Sequence, residues 1–157
     1  MKDDAITVAF LADRRELIPV IAGWLEEEWP QWYGAGKEHD PMFDTEDAAS
    51  KDRLPVGVVA FLDEEPVGFA RLKVDSIPTL RHLTPWATAG LVRKEYRRKG
   101  VGSRLLVALE DAAKNMGYDR IFCGTSQAQD LLDHSGWPLR EYAWWDDEKM
   151  SIYEKAL

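Results

Sequence analysis

Leu91-Val92-Arg93-Lys94-Glu95-Tyr96-Arg97-Arg98-Lys99-Gly100-Val101-Gly102-Ser103-Arg104-Leu105-Leu106 decides how this chain is read. An apolar run stops at Val92, a basic turn follows with Arg97, Gly100 and Gly102 spaced as R-x-x-G-x-G, and a helical pattern begins at once. Strand, glycine-bearing turn and helix N-terminus in that order make an anion cradle. Backbone N–H groups converge, the helix dipole favours negative charge, and glycine lets a ligand approach the main chain. The chain lacks G-x-x-x-x-G-K-[ST] and the three-glycine G-x-G-x-x-G, so neither a P-loop nor a dinucleotide fingerprint is present.

The basic turn sits in an acidic chain. Net charge is −8, whereas residues 91–104 sum to +5, which leaves −13 for everything else. Nucleic-acid binding needs an extended basic face and is not expected. One compact anion at the turn, and a cationic second ligand elsewhere, suit the pattern. With 157 residues, 45% apolar and 31% charged, a single domain spanning 1–157 with an ordinary core is expected. No apolar run is long enough for a membrane span, and Met1-Lys2-Asp3-Asp4 is unlike a signal peptide, so a cytoplasmic protein without membrane contact is expected. Cys123 is the only cysteine, which fits a reducing compartment and offers no internal disulfide or metal cluster.

Working outward from the turn, the apolar positions Leu105, Leu106, Leu109, Ala112, Ala113 and Met116 predict one buried helix face, stopped by Gly117. Strands are predicted at Ala5–Leu11, Val56–Leu62, Val67–Val74, Trp86–Val92 and Arg120–Cys123, with a closing hairpin of Leu139–Trp145 and Lys149–Lys155 around Asp146-Asp147. Asp13-x-x-Glu16 reads as a capping box opening a helix with Leu17, Val20, Ile21, Trp24 and Leu25 on one face. Pro19 demands either a start near Ile18 or a kink. A second helix is expected over Thr45–Arg53 and a short one over Ala128–Ser135. The order describes an α/β (α+β) domain with a mixed sheet.

A second segment narrows the reading. Ala128-x-x-Leu131-Leu132-x-x-x-Gly136-Trp137, following Arg97-x-x-Gly100-x-Gly102 at the expected distance, resembles the GCN5-related N-acetyltransferase (GNAT) family. Thr84-Pro85-Trp86 and Met150–Lys155 are similar to small bacterial members. The resemblance implies a central twisted mixed β-sheet flanked by helices and acetyl-CoA as cofactor. Backbone groups of Arg98, Lys99, Gly100, Val101, Gly102 and Ser103 would hold the pyrophosphate, with charge added by Arg97 and Arg98. Gly90-Leu91-Val92 would splay from the strand Arg120–Cys123 and admit the pantetheine arm. The N–H near Val92 would meet the thioester oxygen, and Leu131 and Leu132 would line the far wall.

Two positions depart from better-known members. Leu132 stands where a tyrosine often protonates the thiolate, leaving His134, Tyr142 and Ser126 as replacement donors. Trp86 stands where some members carry a base glutamate, leaving Glu28, His82 and Asp75 as candidates. The base matters because an alkylamine of pKa about 10.4 is only about one part in 10³ neutral at pH 7. Of the seven tryptophans, Trp24 and Trp137 read as core, while Trp29, Trp32, Trp86, Trp144 and Trp145, with Tyr33, border the acceptor pocket of the family. Trp29, Trp86 and Trp144 are the substrate-binding candidates, suited to a cationic amine by cation–π contact. The expected activity is acetyl transfer to a primary amine of a small cationic molecule by direct attack in a ternary complex. A protein N-terminal acetyltransferase and a non-catalytic acyl-CoA-binding domain remain the alternatives. The closing strand pair offers an edge for a homodimer.

Overall fold

The computed structural model describes residues 5–34 and 36–157; Met1–Asp4, read above as unlike a signal peptide, lie outside them. Its elements are β1 (Ile6–Phe10), α1 (Ile18–Glu28), α2 (Pro41–Asp47), β2 (Val56–Leu62), β3 (Glu65–Lys73), β4 (Trp86–Val92), α3 (Val101–Asn115), β5 (Arg120–Thr125), α4 (Gln129–His134), β6 (Leu139–Trp145) and β7 (Glu148–Ala156). The strands form one sheet in the order β1-β2-β3-β4-β5-β7-β6. Every neighbouring pair is antiparallel except β4 and β5. A parallel pair needs a crossover, and α3 supplies it.

Strand alternation sorts the core into two faces. Val58 and Ala60 of β2, with Leu72 of β3, pack toward Leu105, Leu106 and Leu109 of α3. Val59 and Phe61 of β2, with Phe69 of β3, pack toward Ile18, Ile21 and Leu25 of α1. A third cluster, Ile77, Leu80, Trp86, Phe122 and Ile152, lies on the α1 face over β4, β5 and β7. The α1 face therefore carries two apolar masses side by side, while α3 and α4 cover the other. Near α4, Glu110 accepts from the Trp137 indole N–H and from Lys155, both at 3.0 Å. Without that partner the buried indole N–H would cost about 1–3 kcal/mol.

The helix starts correct two expectations. No capping box forms at Asp13: Glu16 pairs with Arg14 at 2.9 Å instead, and two 3₁₀ turns precede a helix that begins at Ile18. Pro19 occupies the first turn, where its missing N–H has no helical partner to lose. Val20, expected on the buried face, is exposed, while Ile18, Ile21, Ala22 and Leu25 make the apolar stripe. The second helix lies earlier than Thr45–Arg53. Asp40 caps it by accepting from the Met42 N–H (2.9 Å) and the Phe43 N–H (3.4 Å), and Pro41 fills the first position. The sequence signal was Asp40-Pro41 itself.

Other local expectations hold. The α3 face is buried as predicted, and Gly117 (φ +96) ends the helix, with Tyr118 N–H reaching the Ala113 carbonyl at 3.0 Å. Asp146 and Asp147 (φ 53 and 60) turn the last hairpin. Positive φ at both central residues is the tight-turn geometry that matches strand twist.

Candidate active site

The sheet opens at its centre. β4 and β5 pair only at Trp86 with Phe122 and Ala87 with Cys123. Beyond those residues β4 runs to Val92 and β5 to Thr125 with no partner between them. The cause lies in β4, whose register against β3 slips between the Phe69–Leu91 and Arg71–Thr88 pairs. Ala89 adopts φ 54 at that point, a conformation that costs a non-glycine residue of order 1–3 kcal/mol. A bulge of this kind bends its strand and re-aims the residues beyond it.

After the bulge, Arg93 N–H donates to the Val67 carbonyl at 2.8 Å. Successive N–H groups of an extended strand point to opposite edges, so the Val92 N–H faces the gap toward β5. The Val92 carbonyl accepts from Arg97 Nε at 2.9 Å.

The cradle lies directly beyond. Arg98 (φ 65) and Gly100 (φ 90) both take left-handed conformations, turning the chain sharply into α3. Gly100 caps α3 without a side-chain hydrogen bond, and no acidic residue stands in the first turn. The first helical bond runs from Arg104 N–H to Gly100 carbonyl at 3.2 Å, which leaves the N–H groups of Val101, Gly102 and Ser103 without helical partners. Arg98 and Lys99 are exposed and make no ion pair among the described residues. Donors and charge without a resident carboxylate fit a pyrophosphate. Gly102 has a further reason to be glycine: a Cβ there would lie 3.2 Å from Leu131 Cδ2, so α3 and α4 meet at this residue.

Arg97 occupies a different place from the one expected. Besides holding the Val92 carbonyl, its guanidinium lies 3.7 Å from Glu28 Oε1. It ties the end of β4 to the end of α1 and is not a free phosphate arm. The same contact brings Glu28 near the Val92 end of the gap. Arg93 reinforces the junction, 2.6 Å from Glu27 and 5.2 Å over the Trp24 ring.

On the opposite wall, Leu131 abuts Gly102, but Leu132 is 2% exposed within the α3-face core and offers no surface to a ligand. Its predicted lining role is corrected, because the short α4 turns that side chain inward. His134 is exposed on the last turn of α4, its Nδ1 2.7 Å from the Asp130 carbonyl. Nδ1 therefore carries the proton, and Nε2 is left free. The Tyr142 ring lies under the Lys149 ammonium at 4.2 Å on the exposed side of β6.

Cys123, at the last paired position of β5, has its thiol pushed up to about 12 by burial. At neutral pH it is protonated and a poor nucleophile. After incubation with acetyl-CoA at pH 7, mass spectrometry is expected to find no acetyl group on Cys123; an adduct would demand a covalent route.

The tryptophans divide differently from the expectation. Trp86 is fully buried, its indole N–H donating to the Leu83 carbonyl at 2.7 Å and its ring against Phe122. It is core and meets no substrate. Along β6 the alternation exposes Trp144 (68%), away from the third cluster, and turns Trp145 inward onto it. Trp145 meets Trp32 edge-on at 5.4 Å, and Trp32 stacks on Trp29 at 6.5 Å.

The sequence pattern gave little sign of a polar group beneath α2. Tyr33 donates to Asp44 at 2.9 Å, and the Arg71 guanidinium, nearly buried, lies 3.8 Å from the same carboxylate. Burial, the largest cause, pushes the Tyr33 hydroxyl up to about 12. Its only sequence signal is Arg71, one of two charged residues inside the run Val67–Val74. Among the described residues no group of His, Cys, Asp or Glu is arranged to hold a metal ion, and no helix is long and apolar enough to cross a membrane.

Comparison with known proteins agrees with this geometry. A family model described as the acetyltransferase (GNAT) family matches residues 21–135, so the chain belongs to that family of acetyltransferases. A search of curated proteins finds no match. Among solved structures, an aminoglycoside 6'-N-acetyltransferase complexed with coenzyme A superposes with a TM-score of 0.76 at 17% identity, covering 96% of both chains. The aminoglycoside 6'-N-acetyltransferase from Enterococcus faecium gives 0.71 at 16% identity and 96% of both chains. A GNAT-family acetyltransferase from Streptococcus pneumoniae gives 0.62 at 17% identity and 98% of both. At these identities the likeness is one of fold.

Proposed function

We propose that the chain transfers an acetyl group from acetyl-CoA to a primary amine of a small cationic molecule, by direct attack in a ternary complex. The observation that carries this reading is the gap between β4 and β5, with the Val92 N–H turned into it and the uncapped N-terminus of α3 in line beyond. Bound acetyl-CoA supplies an activated acetyl thioester; the chain supplies position and charge. The N–H groups of Val101, Gly102 and Ser103, with Arg98 and Lys99, hold the pyrophosphate. The unpaired edge of β4 at Gly90 gives the pantetheine amides a strand to bond to, while the peptide groups of Leu91, paired with Phe69, face β3. The Val92 N–H then meets the thioester oxygen and favours the negative charge that develops there.

The cradle lies at the N-terminus of α3, so a coenzyme held there would leave the α1 face to the amine. Glu28, held near the gap by Arg97, is the carboxylate placed to take the amine proton, directly or through water. The departing thiol has a pKa of about 8.5 and leaves tolerably without a strong acid. Leu132 in place of tyrosine is compatible with turnover for that reason; in the neutral His134 ring the one proton is on Nδ1, held by the Asp130 carbonyl, so Nε2 could donate only from the imidazolium.

The test is purified protein with acetyl-CoA and a panel of amines and peptides, following free thiol. Release with small amines above the peptide rate is the expected result. Release with peptides alone would favour an N-terminal acetyltransferase. Tight coenzyme A binding with no release from any acceptor would favour a non-catalytic acyl-CoA-binding domain.

A further inference from the structure

The α1 face of the sheet carries two separate apolar clusters, one under α1 and one under the segment before β4, and the β4–β5 gap opens between them. Trp32, with Trp29, packs on the first cluster, and Trp145 packs on the second. Their edge-to-face contact at 5.4 Å and 71° therefore spans the cleft by which an amine reaches the gap. Indole faces attract cations. Among the described residues four cations sit over aromatic rings, and none is over Trp29, Trp32 or Trp145. Asp146 and Asp147 follow Trp145 in the chain, and Glu28 precedes Trp29. Of these three carboxylates beside the indoles in the chain, Glu28 is paired with Arg97, and Asp146 and Asp147 make no ion pair among the described residues.

A cation held there cannot also be the nucleophile. Cation–π and carboxylate contacts keep an amine protonated, whereas attack on a thioester needs a free lone pair. We propose that Trp32 and Trp145 hold a second, protonated amine of the acceptor, so that the substrate class is a diamine or polyamine whose other amine reaches Val92. This rests on the acetyltransferase reading above and narrows it.

The experiment uses three acceptors of one chain length: 1,4-diaminobutane, butylamine and 4-aminobutyrate. Thiol release at saturating acetyl-CoA is expected to give kcat/KM for the diamine roughly 10-fold or more above butylamine, and 4-aminobutyrate below both. Trp32→Leu and Trp145→Leu should each bring the diamine-to-monoamine ratio close to one, chiefly through KM. Trp144→Leu, on the exposed side of β6, should keep the wild-type ratio. Calorimetric binding of 1,4-diaminobutane to the protein–coenzyme A complex should weaken in the same two variants, and Trp145→Phe should retain part of it. Equal use of diamine and butylamine by the wild type, or an unchanged ratio in both leucine variants, would overturn the proposal. If no amine releases thiol, the transferase reading fails on its own. The calorimetry then decides the compartment: diamine binding lost in the leucine variants upholds it, and absent binding overturns it.

Discussion

Gly102→Glu is expected to give a folded protein that binds coenzyme A at least about 100-fold more weakly, a loss of about 2.7 kcal/mol. Gly102 lies in the first turn of α3, where the N–H groups of Val101, Gly102 and Ser103 lack helical partners. A new Cβ meets only the tip of Leu131, at 3.2 Å, and a flexible side-chain end can move by the few tenths of an ångström required. A carboxylate in a first turn is favourable for the helix itself by about 0.3–1 kcal/mol, so folding survives. The same carboxylate competes with the pyrophosphate for the N–H groups and repels it. Gly102→Ala separates the two effects: it adds the Cβ without the charge and should bind coenzyme A within about 5-fold of wild type, close to 1 kcal/mol. Isothermal titration with a thermal melt measures both quantities. Wild-type affinity in the glutamate variant would remove the cradle from this turn.

The second large effect concerns turnover. Val92→Pro should lower kcat by about 10²–10³ while the fold and coenzyme affinity persist, the range seen when one oxyanion donor is deleted. The substitution is selective because of the strand's alternation. Arg93, not Val92, supplies the ladder bond to the Val67 carbonyl, so proline at 92 removes the N–H that faces the gap and leaves the sheet bond intact. Val92 also packs against the α3-face core, and Val92→Ala calibrates that loss. Single-turnover kinetics at saturating acetyl-CoA isolates the chemical step. An undiminished rate in the proline variant would move the oxygen contact to another donor.

Both effects trace back to the stretch from Leu91 to Leu106, which was legible because local chemistry fixes it. A strand end, a left-handed glycine and a one-sided apolar helix are properties of neighbouring residues, and Gly100, Leu105, Leu106 and Leu109 behave as their pattern predicts. The start of α1 at Ile18 is one of the two outcomes that Pro19 allows, whereas the start of α2 at Pro41, capped by Asp40, lies earlier than the Thr45–Arg53 pattern suggests. The acceptor side was read least well. The family pattern points Trp86 and Leu132 at ligands, yet both are core, because their strand and helix turn them inward.

Residue order alone determined the strand–turn–helix cradle, the family it signals and the face of α3 that is buried. Those features depend on φ preferences and on a period of 3.6 residues, which short segments carry by themselves. Tertiary structure alone decided which side of the sheet each aromatic serves. It also decided that Arg97 clasps the Val92 carbonyl, that Trp145 rather than Trp144 meets Trp32, and that the bulge at Ala89 opens β4 from β5. Each of these is a contact between distant segments, set by register, and a shift of one residue would reverse every side chain on the strand.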